Sequence, residues 1–337
     1  MTVTRPAAGF QVLPRLADLA DYTIAFTIRA ICEIGVADHL ADGGRELADL
    51  AEATGTHAPS LLRALRALAG AGVVAEPEPG WFELTEVGQL LRSDHPLSMR
   101  SALSVSPAEI AAWAALDYSI RTGRPAFDEA NGVGYWEYLA GHPDLRVQFD
   151  ESQEAMTRLE LLAVVRAYDW AALGTLVDVG GGTGAFLGGL LARHRALRGV
   201  VFDLPDAVAD APARLADAGV AGRCEVTGGS FFDTPVPPGA GGYLLKRVLY
   251  GWDDDRATEI LRAVRAAMRP DSRLLLLEPV AREEDELSSS MDLLMLTLSS
   301  GRVRTVAELD GLLGAAGLRR TAVISTRMFP VIETVPE

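Results

Sequence analysis

The run Leu176-Val177-Asp178-Val179-Gly180-Gly181-Gly182-Thr183-Gly184 is an apolar stretch that ends in an acid and then in a glycine-rich turn. The segment after it, Ala185-Phe186-Leu187-Gly188-Gly189-Leu190-Leu191, reads as a helix. Strand, glycine turn and helix make a nucleotide-binding corner, because glycines admit a ligand close to the backbone and a helix N-terminus offers free N–H groups. The expected ligand is an adenosine-containing cofactor. Gly180-x-Gly182-x-x-Ala185 is a loose dinucleotide fingerprint, weak on its own. Asp203 follows at the end of the second predicted strand, where a carboxylate accepts both ribose hydroxyls of NAD or of S-adenosylmethionine (SAM) alike. Two features favour SAM. Asp178 lies inside the first strand, placed to organise the loop around an ammonium or sulfonium group. The nucleotide domain is C-terminal, ends in a hairpin and has no second nucleotide-side half.

The elements that must position these residues follow from apolar runs and Gly/Pro punctuation. Strands are predicted at 175–179, 199–203, 223–227, 242–248, 273–278, 319–325 and 328–334, alternating with helices. That alternation gives a doubly wound, mainly parallel sheet, with the last two strands as an antiparallel hairpin at one edge. Upstream, 21–42 is an apolar helical pattern, and Glu46 to Ala53 and Pro59 to Leu68 are short helices. The segment from Val73 to Thr85 is a hairpin turned by Pro77-Glu78-Pro79-Gly80. Helix, helix and hairpin form a winged-helix pattern, read as a dimerisation module or as a DNA-binding one. Residues 107–170 are helical and carry Trp113, Tyr118, Tyr135, Trp136, Tyr138 and Phe149. The division expected is 1–105 as a winged-helix dimerisation domain, 106–170 as a helical linker and substrate lid, and 171–337 as the SAM-binding catalytic domain.

Composition narrows the function classes. With 31 basic and 46 acidic residues the net charge is -15. An acidic chain without a basic recognition helix argues against a nucleic-acid partner. Two distant cysteines, Cys32 and Cys224, suggest neither a metal site nor a disulfide framework, so no metal is expected and Cys224 is read as an inert core residue. A reducing cytoplasm is the expected setting. No signal-peptide pattern stands at the N-terminus, and no apolar run is long enough to span a bilayer. The run Glu283-Glu284-Asp285-Glu286 reads as a solvated loop.

On these residues the chain resembles the small-molecule SAM-dependent O-methyltransferases, the group of plant caffeate and flavonoid enzymes and of bacterial polyketide- and anthracycline-tailoring enzymes. The matching segments are Leu176–Gly184, Val201–Pro205, Gly228–Phe232, Leu245–Asp254, Leu277-Glu278, Asp292–Leu296 and Gly301–Thr305, with Tyr135–Leu139 and the winged-helix pattern further upstream. The resemblance implies a homodimer that acts on a small aromatic or polyketide substrate. It implies that Gly180 and Gly182 form the cofactor loop, Asp203 holds the ribose and Leu204 packs near it. Ser230 and Phe231 fall at the pair that flanks the adenine, and Lys246 and Trp252 at positions near the cofactor. Ser230 departs from the pattern, which has an acid there. Met156, Met291 and Met295 resemble pocket methionines; of these Met156 and Met295, together with Phe149 and Trp113, are taken as substrate-lining candidates.

The largest departure lies at the base. A phenol of pKa about 10 is a poor nucleophile at neutral pH, so a neighbouring base helps. The family's histidine is Tyr250 here, inside Tyr250-Gly251-Trp252, and none of His39, His57, His95, His142 and His194 takes its place. Of the two carboxylates that flank that histidine, Glu278 matches one and Val303 replaces the other. A neutral tyrosine suits hydrogen bonding to substrate better than proton abstraction. Three resolutions are open. The acceptor is acidic already and needs only orientation. Arg302 stabilises its anion or clamps a substrate carboxylate. Or the scaffold runs a non-methylating reaction, as a SAM-dependent hydroxylase, a decarboxylase or a cyclase such as a pericyclase. The rivals from other classes are a non-catalytic regulator and an NAD oxidoreductase.

Overall fold

A computed structural model describes residues 12–282 and 286–337. The acidic run predicted as a loop lies outside these residues apart from Glu286, which begins a helix, and so do the first eleven residues. Two compact units are present, residues 1–105 and 106–337.

The first unit packs helices Thr23–Ile34, Leu47–Thr54 and Ala58–Gly70 on a small antiparallel sheet of β1 (Arg45–Glu46), β2 (Val74–Glu78) and β3 (Trp81–Leu84), in the order β1-β3-β2. Its core includes Ile31, Leu50, Leu65, Leu68 and Phe82, all buried. The pattern read as one helix over 21–42 is two helices. Gly35, at φ 81°, ends the first in a left-handed cap, and Val36–His39 forms a separate turn.

The second unit carries β4 (Thr175–Val179), β5 (Arg198–Asp203), β6 (Cys224–Gly228), β7 (Gly242–Lys246), β8 (Arg273–Leu277), β9 (Leu318–Ile324) and β10 (Val331–Pro336). Their order is β6-β5-β4-β7-β8-β10-β9. The first five pair in parallel and the last two pair antiparallel, with β10 inserted between β8 and β9. The predicted strands agree with these to within three residues at each end. Strands β4, β7 and β8 are runs of buried apolar residues because helices cover both faces. One face packs on Ile260, Leu261 and Val264, the other on Phe186, Leu187 and Leu190. Reversal of strand order between β4 and β7 opens the crevice at their carboxyl ends where such sheets bind ligands. The 106–170 segment, expected as a separate linker, belongs to the same compact unit as the sheet. Its last helix, Pro143–Val164, contacts helix Ala185–Arg193, Thr183 in the turn after β4 and the end of β7.

Cys32 is buried and Cys224 half-buried at the start of β6, with its thiol pushed up to about 12 by burial. Among the described residues no helix is long and apolar enough to cross a membrane, and no cluster of three or more potential metal ligands occurs.

Leu244 is fully buried on β7, in the middle of the sheet. Leu244→Ala is expected to lower stability by about 3 kcal/mol, read by urea unfolding; a loss under about 1 kcal/mol would show that the sheet's two covering layers relax into the gap.

Candidate active site

At the end of β4 the chain turns through Gly180 (φ 77°), Gly182 (φ 54°) and Gly184 (φ 74°) into helix Ala185–Arg193. A side chain at Gly180 would come within 2.7 Å of Val248, and one at Gly181 within 3.0 Å of the Asp178 carboxylate. Asp203 fixes this turn. Its Oδ2 accepts from Gly182 N at 2.8 Å and its Oδ1 from Leu204 N at 2.7 Å. Burial pushes the Asp203 carboxyl up, and the two N–H groups hold it back. Leu204, beside it, is half exposed at 50%.

Asp178 is fully buried, and neither of its carboxylate oxygens has a partner in the protein. Burial pushes it up to about 7, against the pull of the Lys246 ammonium. A buried carboxylate without a donor is costly. This one lies against the glycine turn, 3.0 Å from where a side chain at Gly181 would begin.

Lys246 ends β7, Arg247 follows it, and both face helix Pro143–Val164. Lys246 Nζ donates to Thr157 Oγ1 at 3.2 Å and to Glu160 Oε2 at 3.1 Å, with the Phe186 ring 5.4 Å away. Burial and the neighbouring Arg247 lower its pKa, against Glu160 and Asp178. Arg247 Nε makes an ion pair with Glu160 Oε1 at 2.6 Å, and Nη1 donates to Gln153 at 2.5 Å. On the same helix Glu154 reaches Arg214 at 2.6 Å and Thr183 of the glycine turn at 3.4 Å, and Arg146 pairs with Asp150 at 3.0 Å. Residues 146, 150, 153, 154, 157 and 160 thus form one helical stripe. Reading the sequence missed Gln153, Glu154, Thr157, Glu160 and Arg247. The available signal was this i, i+3, i+4 spacing of polar groups in a helix that packs on a domain core.

The segment after β7 is a short turn, Leu249–Gly251. Glu278 lies beneath it. Oε1 accepts from Val248 N at 2.8 Å and Leu249 N at 2.9 Å, and Oε2 from Tyr250 N at 3.3 Å. Burial pushes this carboxyl up to about 7 against those bonds. Glu278, expected as a catalytic carboxylate, bonds here to the backbone that presents Tyr250. Arg304, also unanticipated, is fully buried and donates to Leu249 O at 2.9 Å, Trp252 O at 2.7 Å and Asp254 Oδ1 at 2.8 Å. Gly301 completes the mount, since a side chain there would lie 2.1 Å from Tyr250 O.

Arg302, expected at the acceptor, turns outward instead, to Asp254 at 3.0 Å and Glu308 at 2.6 Å, which hold its pKa above the ordinary value. Val303 is buried, with its N–H on Asp292 at 2.7 Å. Burial raises the Tyr250 phenol, and the Arg247 guanidinium opposes this. The hydroxyl stays protonated at neutral pH.

Phe231 and Trp252 come together with Phe232: ring centroids lie 4.7 Å apart for Phe231–Phe232, 6.1 Å for Phe231–Trp252 and 5.0 Å for Phe232–Trp252. Arg256 lies 3.5 Å over Phe232. The Ser230 hydroxyl accepts from Phe232 N at 3.2 Å. Phe149 packs with Tyr135 and Trp136 at 6.3 and 5.7 Å. Met295 is buried, its sulfur 3.6 Å from Ser299 Oγ, and Met156 is half-buried on the long helix. Trp113 is 38% exposed, and among the described residues it joins no ring contact.

Removing Glu278 would strand three backbone donors. Glu278→Ala is expected to cost about 3 kcal/mol in urea unfolding, and Glu278→Gln, which keeps an acceptor, clearly less. Equal losses for the two would refute the positioning role.

Residues 113–319 match the O-methyltransferase domain model, and residues 17–94 match the O-methyltransferase dimerisation domain. The chain is 40% identical to the 2,7-dihydroxy-5-methyl-1-naphthoate 7-O-methyltransferase of Streptomyces carzinostaticus, over 94% of this chain and 96% of that protein. It is 38% identical to the aclacinomycin 10-hydroxylase RdmB of Streptomyces purpurascens, over 90% of this chain and 83% of that protein. Among solved structures it resembles the O-methyltransferase NcsB1 from neocarzinostatin biosynthesis, in complex with S-adenosyl-L-homocysteine and 1,4-dihydroxy-2-naphthoic acid. That likeness has TM-score 0.83 and 39% identity, covering 96% of this chain and 98% of that one. With the glycine turn, the clamped Asp203 and both domain models in place along one chain, the protein belongs to the O-methyltransferase family.

Proposed function

We propose that the protein transfers a methyl group from SAM to a hydroxyl of an aromatic or polyketide-type small molecule, as a homodimer assembled through its N-terminal unit. The observation that carries the cofactor is the buried, unpartnered Asp178 carboxylate beside the glycine turn. That donor-poor acid fits a ligand with an ammonium group, and Asp203 retains lone pairs for ribose hydroxyls beyond its two N–H bonds. Gly180 and Gly182 give the backbone close approach, Leu204 offers an apolar surface, and Phe231 with Trp252 an aromatic one. Ser230, whose hydroxyl already accepts from Phe232 N, is a weaker partner for an adenine amino group than an acid. Lys246 supports Asp178 electrostatically from below.

SAM supplies an electrophilic methyl on a sulfonium. The chain's own part is orientation of the acceptor, which is worth up to about 7–11 kcal/mol in intramolecular models. Met156, Met295 and Phe149 are proposed to line the acceptor region, with Tyr250 as a hydrogen-bonding group. Trp113 has the least support among these candidates.

A second reading is favoured by two observations together, Tyr250 at the histidine position and the similarity to a hydroxylase: a non-methylating reaction on the same scaffold. One experiment decides between them. Purified protein, methyl-labelled SAM and a panel of hydroxyaromatic acceptors are expected to give labelled product with stoichiometric S-adenosylhomocysteine. Product formed with SAM intact would overturn methyl transfer in favour of the second reading. Tyr250→Phe is expected to keep activity within about tenfold, since orientation survives loss of the hydroxyl.

A pH test addresses Asp178. The ammonium binds its ionised form, whereas below about 7 the buried acid is protonated in the free protein. Affinity for SAM is therefore expected to rise with pH between about 5.5 and 7, by up to about tenfold per unit, and to level off above. Asp178→Asn is expected to weaken binding and flatten the profile; an unchanged profile in calorimetry would refute the pairing.

A further inference from the structure

Arg247 has φ 53°, the one non-glycine residue with positive φ among those described. A side chain is disfavoured there, so the conformation persists only where its surroundings impose it, and such residues cluster at functional sites. The backbone on either side shows what the step does. Arg247 N still donates to Leu277 O at 2.9 Å, continuing the pairing of β7 with β8. The chain then leaves the sheet. Val248 is right-handed (φ -104°, ψ -55°), and its N–H converges with those of Leu249 and Tyr250 on the Glu278 carboxylate. A left-handed residue followed by a right-handed one turns successive N–H groups to one side and makes a cradle for an anion. An extended continuation would have kept them in line for neighbouring strands.

The Arg247 side chain is anchored by two groups of helix Pro143–Val164. Nε pairs with Glu160 Oε1 at 2.6 Å, and Nη1 donates to Gln153 Oε1 at 2.5 Å. Glu160 has no solvent exposure and is itself held by Lys246. In an extended strand Lys246 and Arg247 would point to opposite faces. The left-handed step turns both to the one carboxylate. Anchor and cradle are thus the two ends of a single residue.

We propose that Arg247 is a positioning residue for the acceptor. Glu160 and Gln153 hold it left-handed, and its backbone folds Val248–Tyr250 around Glu278 and so sets where the Tyr250 ring stands. The assignment rests on the reading that the acceptor meets Tyr250. The guanidinium is the handle by which the long helix sets the turn, and the backbone conformation is what the site uses. Glycine takes φ 53° freely and does not need the handle; alanine needs it and lacks it. In both variants Glu160 keeps Lys246 as its partner, so they differ by one methyl group and the backbone preference it brings.

Hydrogen exchange at the Val248, Leu249 and Tyr250 amides reads the cradle independently of any turnover. Exchange there is expected to be at least about tenfold faster in Arg247→Ala than in Arg247→Gly. Gln153→Ala is expected to speed it about threefold when residue 247 is Arg, and to add nothing when it is Gly. Catalysis is followed in whichever reaction the labelled assay finds. There kcat is expected to be at least about tenfold higher in Arg247→Gly than in Arg247→Ala, because a displaced turn misplaces the acceptor. The Kd for S-adenosylhomocysteine is expected to agree within about threefold, since the turn after β4 is untouched. Equal exchange or equal kcat in the two variants would overturn the proposal, and so would a loss of S-adenosylhomocysteine affinity as large as the loss of kcat. If Arg247→Gly folds and Arg247→Ala does not, the single methyl has acted through the backbone as proposed. If neither folds, Gln153→Ala decides, and unchanged exchange at the three amides refutes the anchor. The exchange difference without turnover of any acceptor keeps the cradle and removes the acceptor reading.

Discussion

The contact on which the second unit depends is the triangle of Glu160, Lys246 and Arg247. One carboxylate with no solvent exposure is the shared counter-ion of two cations at the end of the central strand β7. Taking the Glu160 carboxylate away leaves two buried cations without their shared counter-ion, a heavy penalty in a low-dielectric interior. The helix that supplies Glu160 is therefore fixed in rotation and height over the strand ends. Gln153, Glu154 and Thr157 follow from that setting, because they share its face. So does the contact with Thr183 that ties the same helix to the glycine turn.

Two supports thus converge on one crevice from different directions. Asp203 and Asp178 flank one side, at the turn after β4. Glu278, Arg304 and Gly301 define the other side, by holding the turn after β7. Neither support uses a side chain of the turn it holds. Backbone N–H groups of Val248, Leu249 and Tyr250 donate to Glu278, and the carbonyls of Leu249 and Trp252 accept from Arg304.

The sheet was legible because its signals are local. Apolar runs ended by Gly or Asp mark β4 and β5, and the short link after β9 forces the antiparallel hairpin. The glycine turn and Asp203 were legible for the same reason. The first apolar helix was misread in length because one glycine adopted a left-handed cap where periodicity continued past it. The setting of Arg302 was not legible because residue type and register do not reveal where a long side chain turns; Asp254 and Glu308, distant in sequence or on the next helix, pair with it. Gln153 and Glu160 stayed hidden because polar groups on a helix ordinarily face water, and only the fold says that this face meets the ends of a sheet. Arg247 was hidden more deeply, since a left-handed arginine has no signature in sequence.

A turn whose hydrogen bonds to Glu278 and Arg304 use only its main chain behaves as a socket for the side chain of residue 250. The identity of residue 250 contributes nothing to how residue 250 is mounted: the Glu278 carboxylate, the Arg304 fork and the bare Gly301 would grip the same peptide groups around a histidine, a tyrosine or an aliphatic side chain. A lineage with this architecture is free to trade the reactive group without rebuilding its frame. New chemistry on such a scaffold is then a matter of single-position exchange, followed by adjustment of the neighbours that touch the new side chain.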